Sequence, residues 1–230
     1  MLTVADVYAY VNGRAPFDTQ MDFDNAGLLT GAMDQPVTGI HVALDCTEGV
    51  IQEAERLGAN LIVTHHPLMF HARKRMTEED AEGRLLCRLI RGHMALLAAH
   101  TNLDRAAGGI NDVLAEVCGL RDTVGEEFLR VGDLPAPMEA RELQAYLSDR
   151  LGTMVRLMGR AGQQVSRLGI SSGAGGDGWP LAKALGSDAF LSGEIRHHEG
   201  LDCVANGLVA LEGGHFATEA PGIFALADAL

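Results

Sequence analysis

IHVALDCTEGVIQEAERLGANLIVTHHP, residues 40–67, is the stretch whose reading decides the fold. Ile40–Leu44 is a short apolar run rich in β-branched residues and predicts a strand. The segment near Thr47–Leu57 predicts a helix, which Gly58 ends at a C-cap position. Leu61–Thr64 predicts a buried strand, and directly after it come two histidines and a proline. Short apolar runs alternating with helical stretches are the pattern of an α/β protein.

The alternation continues on both sides. Val4–Val11 is a helix candidate. Thr77, with Asp80 three residues later, offers an approximate capping box for a helix running through Arg91. Met94–Ala99 predicts a strand, and Ile110–Cys118 a helix stopped by Gly119. Around Thr123–Pro137 the pattern changes, with Pro135 and Pro137 interrupting it. Beyond it, Met138–Leu151 looks helical, with strands expected near Thr153–Leu157 and Val165–Ser171. A Gly-rich stretch, Ser171–Gly178, precedes a helix from about Trp179 and Pro180. Ala189–Ser192 predicts a strand, followed by a helix to about Asn206. Leu208–Leu211 predicts another strand and Thr218–Leu230 a final helix. No internal repeat or low-complexity tract interrupts this order.

At 230 residues with 47% apolar content, the chain can bury a core as one large domain or two small ones. No apolar run approaches the roughly 18 residues of a membrane-spanning helix. The N-terminal residues lack a basic region ahead of an apolar stretch, so no secretory signal and a cytoplasmic location are expected. The net charge of −13 is spread evenly, with 16 acids and 9 bases in residues 1–120 and 15 and 9 in residues 121–230. That balance speaks against a general nucleic-acid binder, which needs excess Lys and Arg to displace phosphate counterions. Cys46, Cys87, Cys118 and Cys203 form no CxxC pair, which suggests reduced, buried thiols rather than a thiolate metal site.

Three predicted strands empty polar, metal-competent residues at their ends. Leu61–Thr64 leads into His65 and His66; Met94–Ala99 leads into His100 and Asp104; Leu208–Leu211 leads through Glu212 to His215 and Glu219. In open α/β sheets, sites form beyond the carboxyl ends of strands. Imidazole with carboxylate suits Zn, Mn, Fe, Co or Ni. Adjacent histidines at a strand end are expected to point to opposite sides, which favours two ions over one. Two-metal hydrolases space theirs about 3.5–4 Å apart. His65, His66, Asp104, His215 and Glu219 are therefore candidate ligands for two divalent ions. Each has a plainer reading: a surface turn for the His pair, a helix cap for Asp104, a first-turn carboxylate for Glu219.

Further residues carry weaker signals. His100 and Glu194 are the candidate catalytic groups. His100 offers a proton carrier or a ligand-orienting group, and Glu194, His197 and His198 could line a substrate cavity or simply start a helix. Asp45 could support a ligand from behind. Arg73-Lys74-Arg75 could attract an anion in an acidic chain, and Ser171–Gly178 could offer backbone N–H groups to one. That stretch lacks the GK[ST] ending of a P-loop.

The segments NLIVTHHPLMF (60–70), HTNLDRAAGGINDVLAEVCGL (100–120), SGEIRHH (192–198) and GGHFATE (213–219) resemble the Nif-three-like family. These are dinuclear-metal-centre proteins often labelled GTP cyclohydrolase type-two homologues. DNAGLLTG (24–31) and Ala43–Asp45 fit as well, with Phe23 where the family commonly has Trp. The resemblance implies metal ligation by the same five residues, with Glu219 contacting both ions. It also implies two α/β lobes of mixed sheet flanked by helices, the second inserted into the first, and a ring-shaped homo-hexamer. The expected boundaries are 1–122 plus 208–230 for the first lobe and 123–207 for the inserted one. The function expected is metal-dependent hydrolysis of a nucleotide or similar small anionic substrate, GTP ring opening among the options. The alternative is a non-catalytic metal-binding scaffold or regulatory interaction protein.

Overall fold

Leu61–Thr64 and Ala95–Ala98 are buried at every position, the pattern of parallel strands covered on both faces. In the computed structural model, which describes residues 1–125 and 127–230, they form the centre of the first of two mixed sheets. The chain falls into two compact units, Met1–Ala107 with Ile223–Leu230, and Gly108–Gly222.

The first unit runs α1 (Val4–Arg14), β1 (Gly27–Thr30), β2 (Ile40–Ala43), α2 (Glu48–Leu57), β3 (Leu61–Thr64), α3 (Ala81–Arg91), β4 (Ala95–Ala98) and α4 (Thr101–Arg105). Its sheet has the order β1-β4-β3-β2. β2, β3 and β4 are parallel, with Ile40 opposite Leu61 and Leu61 opposite Ala95. β1 runs antiparallel to β4. Thr47 caps α2 by accepting the Val50 N–H, and Gly58 ends it in the left-handed conformation at φ 72°, where a Cβ would be strained. The expected capping box before α3 does not form as read: Asp80 itself is the N-cap and accepts the Gly83 N–H at 2.8 Å. Ile51, Ala54, Ile62, Leu89 and Leu96 pack together as this unit's core.

The second unit comprises α5 (Ile110–Val117), β5 (Arg121–Val124), β6 (Arg130–Glu139), α6 (Ala140–Leu151), β7 (Arg156–Met158), β8 (Gln164–Ser171), α7 (Trp179–Ala184), β9 (Ala189–Ser192), α8 (His197–Ala205), β10 (Val209–Glu212) and the start of α9 (His215–Ala229). The sheet order is β5-β6-β8-β9-β10-β7, with β8, β9 and β10 parallel. Phe190, Val131, Ala182 and Ala210 belong to one core cluster, and Leu143, Leu147, Leu168 and Leu191 to another.

Two differences from the sequence reading concern local structure. Pro135 and Pro137 do not interrupt the chain; they lie inside the ten-residue β6. The pairing of β6 with β8 shifts register between Asp133 and Met138, and such an irregularity tolerates residues that lack an N–H. β1 and β5, both short, were not expected as strands. β10 pairs with β9 and β7, so residues 208–222 belong to the second unit, as do α5 and the residues from Gly108 onward.

No helix among the described residues is long and apolar enough to cross a membrane. Ile62 is fully buried on β3, so Ile62→Ala should lower unfolding stability by about 2–5 kcal/mol. Urea denaturation checks this, and a loss below about 1 kcal/mol would contradict the burial.

Candidate functional site

The candidate residues of the first unit stand beyond the carboxyl ends of its parallel strands. After Thr64 the chain bends, and the Thr64 hydroxyl donates to the His66 carbonyl at 2.9 Å. The bend ends the strand alternation, so His65 and His66 do not diverge as expected: their ring centroids are 5.0 Å apart. His100, following β4, brings a third ring within 5.1 Å of His65 and 5.5 Å of His66. One ring nitrogen from each of these three can be chosen so that all lie within 4.8 Å of one another.

Each ring is tied through its Nδ1. His65 Nδ1 meets the Ala99 carbonyl at 2.8 Å. Because a carbonyl only accepts, that nitrogen carries the hydrogen. His66 Nδ1 lies 2.7 Å from Asp45 Oδ1, and His100 Nδ1 lies 2.7 Å from Asp24 Oδ1. Tying one nitrogen to a carbonyl or carboxylate fixes the ring and raises the basicity of the other, the usual backing of a metal-bound histidine. Asp104 lies within α4, buried, and does not cap the helix that follows, since Gly109 is the N-cap of α5. Its Oδ1 stands 3.5 Å from His65 Nε2. That is longer than a good hydrogen bond and close to the spacing of two donors each about 2.0–2.2 Å from one ion.

The second unit uses the same device. His215 opens α9 just beyond β10, and its Nδ1 lies 2.7 Å from Glu194 Oε1, in the loop after β9. Its Nε2 stands 3.1 Å from Glu219 Oε2, one helical turn on. The bond to Glu219 raises the His215 pKa from 6.5 to about 9, against the effect of partial burial, and Glu194 adds to the rise. A divalent cation and that proton compete for the same nitrogen. Glycines let the backbone crowd this corner. A Cβ on Gly173, at φ 54°, would come within 2.2 Å of Glu219 Oε1, and one on Gly193 within 2.5 Å of the Gly173 carbonyl. Imidazole and carboxylate are the donors that Zn, Mn, Fe, Co and Ni accept, so in each unit the residues fit a divalent metal.

A protein-family model, Duf34/NIF3 (NGG1p interacting factor 3), matches residues 2–230. The chain belongs to the DUF34/NIF3 family. A Clostridium perfringens protein named GTP cyclohydrolase 1 type 2 homolog is 35% identical over 226 residues, covering 94% of this chain and 86% of that protein. Among solved structures, a hypothetical protein of Staphylococcus aureus superposes with a TM-score of 0.92 at 27% identity, covering 99% of this chain and 91% of that one. A Bacillus cereus protein related to NIF3 gives 0.92 at 21% identity, over 99% and 93% of the two chains, and shares the fold.

Other residues singled out in this NIF3 chain fall into different settings. Arg73 is held by Asp80 at 2.7 Å and Glu82 at 2.8 Å, which withdraws it from the expected anion patch and leaves Lys74 and Arg75. The Ser171–Gly178 turn is not an open nest. The Ser172 N–H donates to Asn111 and the Gly173 N–H to Thr218, while Gly175 and Gly178 donate within the turn. His197 and His198 are exposed in the first turn of α8. Cys46, Cys118 and Cys203 are buried, and burial pushes their thiols up to about 11, 12 and 11. The residue that sequence reasoning passed over is Asp24. Its position inside the quoted DNAGLLTG motif was the only available signal.

Asp24 has a fully covered side chain. It accepts from the Thr101 N–H at 3.0 Å and from the Thr101 hydroxyl, besides its bond to His100. Burial alone would raise its carboxyl, but the bonds from His100 and Thr101 outweigh it and bring the pKa from 3.8 to about 2. A carboxyl lowered on folding stabilises above its unfolded pKa and loses that contribution as pH falls through its folded one. Here it contributes about 2 kcal/mol above pH 4. The stability gap between wild type and Asp24→Asn, read by denaturation, should shrink steadily from pH 4 towards pH 2. A gap independent of pH over that window would contradict the assignment.

Proposed function

We propose that the two donor sets, His65, His66 and Asp104 with His215 and Glu219, together hold two divalent cations, and that the protein is a metal-dependent hydrolase. The observation that carries this reading is the shared orientation of the imidazoles. His65, His66 and His215 each have Nδ1 tied to a carbonyl or carboxylate, and Nε2 of His65 and of His215 faces a carboxylate, Asp104 at 3.5 Å and Glu219 at 3.1 Å. Paired divalent ions supply charge to activate a water and to stabilise the attacked carbon or phosphorus.

The chain's own groups orient and move protons. Asp45 and Glu194 hold His66 and His215 in place and act through those rings as positioning residues. His100, steadied by Asp24, is the group suited to hold or pass a proton at Nε2. The substrate class proposed is a nucleotide or similar small anionic compound, in keeping with relatives named GTP cyclohydrolase 1 type 2 homolog. The reading includes a cytoplasmic homo-hexamer, in which assembly would cover exposed apolar side chains such as Met154, Phe216 and Phe224.

Elemental analysis of the metal-loaded protein should find two ions per chain, reduced in Asp104→Ala and in Glu219→Ala. On a panel of nucleotides and phosphoesters, these variants should lose turnover by at least roughly 100-fold. Sedimentation should give a mass near six chains of 24.4 kDa. Full metal occupancy without turnover of any compound would overturn the hydrolase and leave a metal-binding scaffold. Failure to take up metal would overturn the centre itself.

A further inference from the structure

Two aromatic rings stand in the open beside the histidine cluster of the first unit. Phe23 is 60% exposed and Phe70 40% exposed, with ring centroids 6.1 Å apart and planes tilted by 50°. Phe70 also lies 6.1 Å from the His100 ring, edge to face at 80°. Leaving two large apolar rings in water is unfavourable, and here the pair is held in place by polar contacts. Asn25 donates its side-chain amide to the Met69 carbonyl at 2.6 Å, joining the loop of Phe23 to the loop of Phe70. Asp24, next to Phe23, grips His100 and Thr101. The rings are therefore positioned by the same network that positions the imidazole.

We propose that Phe23 and Phe70 form a stacking wall for the heteroaromatic base of a nucleotide, which makes them specificity-determining residues of the site. This rests on the dinuclear hydrolase reading and deepens it by naming which part of the substrate the chain recognises. A gap of 6.1 Å between centroids is less than two stacking distances of about 3.5 Å each, so the base lies across the pair rather than between them. Stacking on aromatic side chains tolerates any base, because every base has a π-face. The wall selects nucleotides over sugar phosphates and discriminates weakly among bases.

The test is calorimetric titration of the metal-loaded, full-length protein with guanosine 5′-monophosphate, ribose 5-phosphate and guanosine. Guanosine 5′-monophosphate should bind at least roughly fivefold more tightly than ribose 5-phosphate. Phe23→Ala and Phe70→Ala should each erase most of that advantage while metal content and ribose 5-phosphate affinity stay unchanged. Phe70→Tyr should keep it. Equal affinity for the two phosphates in the wild type, or an advantage that survives both alanine variants, overturns the proposal. So does a variant that alters the sedimenting mass but not the affinity ratio, since the rings then serve a contact between copies. Absence of bound metal is read separately and counts against the dinuclear reading. Guanosine binding that depends on Phe23 and Phe70 would still uphold the wall in that case.

Discussion

A histidine at the end of a parallel strand is useful for chemistry only if its ring cannot turn, and that constraint organises both units. His65 is held by the Ala99 carbonyl, His66 by Asp45, His100 by Asp24 and His215 by Glu194. In every case the held atom is Nδ1. The consequence is a set of imidazoles whose orientation is fixed by a partner at Nδ1, which lowers the entropy cost of ordering them.

The sheets exist to make this possible. β3 and β4 are paired in register, Thr64 opposite Ala98, so the residues that follow them emerge side by side. β8, β9 and β10 do the same in the second unit, with Ser171 opposite Ser192 and Ser192 opposite Glu212. The loops that leave these strands carry Gly173, Glu194 and His215. Both sheets have parallel strands at their centres and antiparallel strands at an edge, so each has one end at which polar residues can collect. Gly173 and Gly193 matter there because any side chain would displace Glu219 or the backbone beside it.

Much of this was legible in the sequence. The apolar runs Leu61–Thr64 and Ala189–Ser192 match their strands residue for residue, because buried parallel strands have no polar face to blur their edges. The helix ending at Gly58 was readable because a left-handed C-cap is a local requirement. What was not legible depends on partners distant in the chain. β6 contains two prolines and is a strand only because β8 accommodates the register shift. That β10 pairs with β9 and β7 is likewise a matter of distant partners, which no local pattern announces. Asp24 looked like one acid among many until His100, 76 residues later, was brought against it. The divergence expected for His65 and His66 assumed an extended chain, whereas the chain bends directly after Thr64.

The account's central claim concerns which nitrogen faces a cation, and anomalous diffraction from crystals grown with zinc addresses it directly. It predicts two anomalous peaks per chain, bonded to Nε2 of His65, His66 and His215, with each Nδ1 still on its carbonyl or carboxylate. Coordination through Nδ1, or the absence of any peak at these histidines in fully loaded crystals, would contradict it.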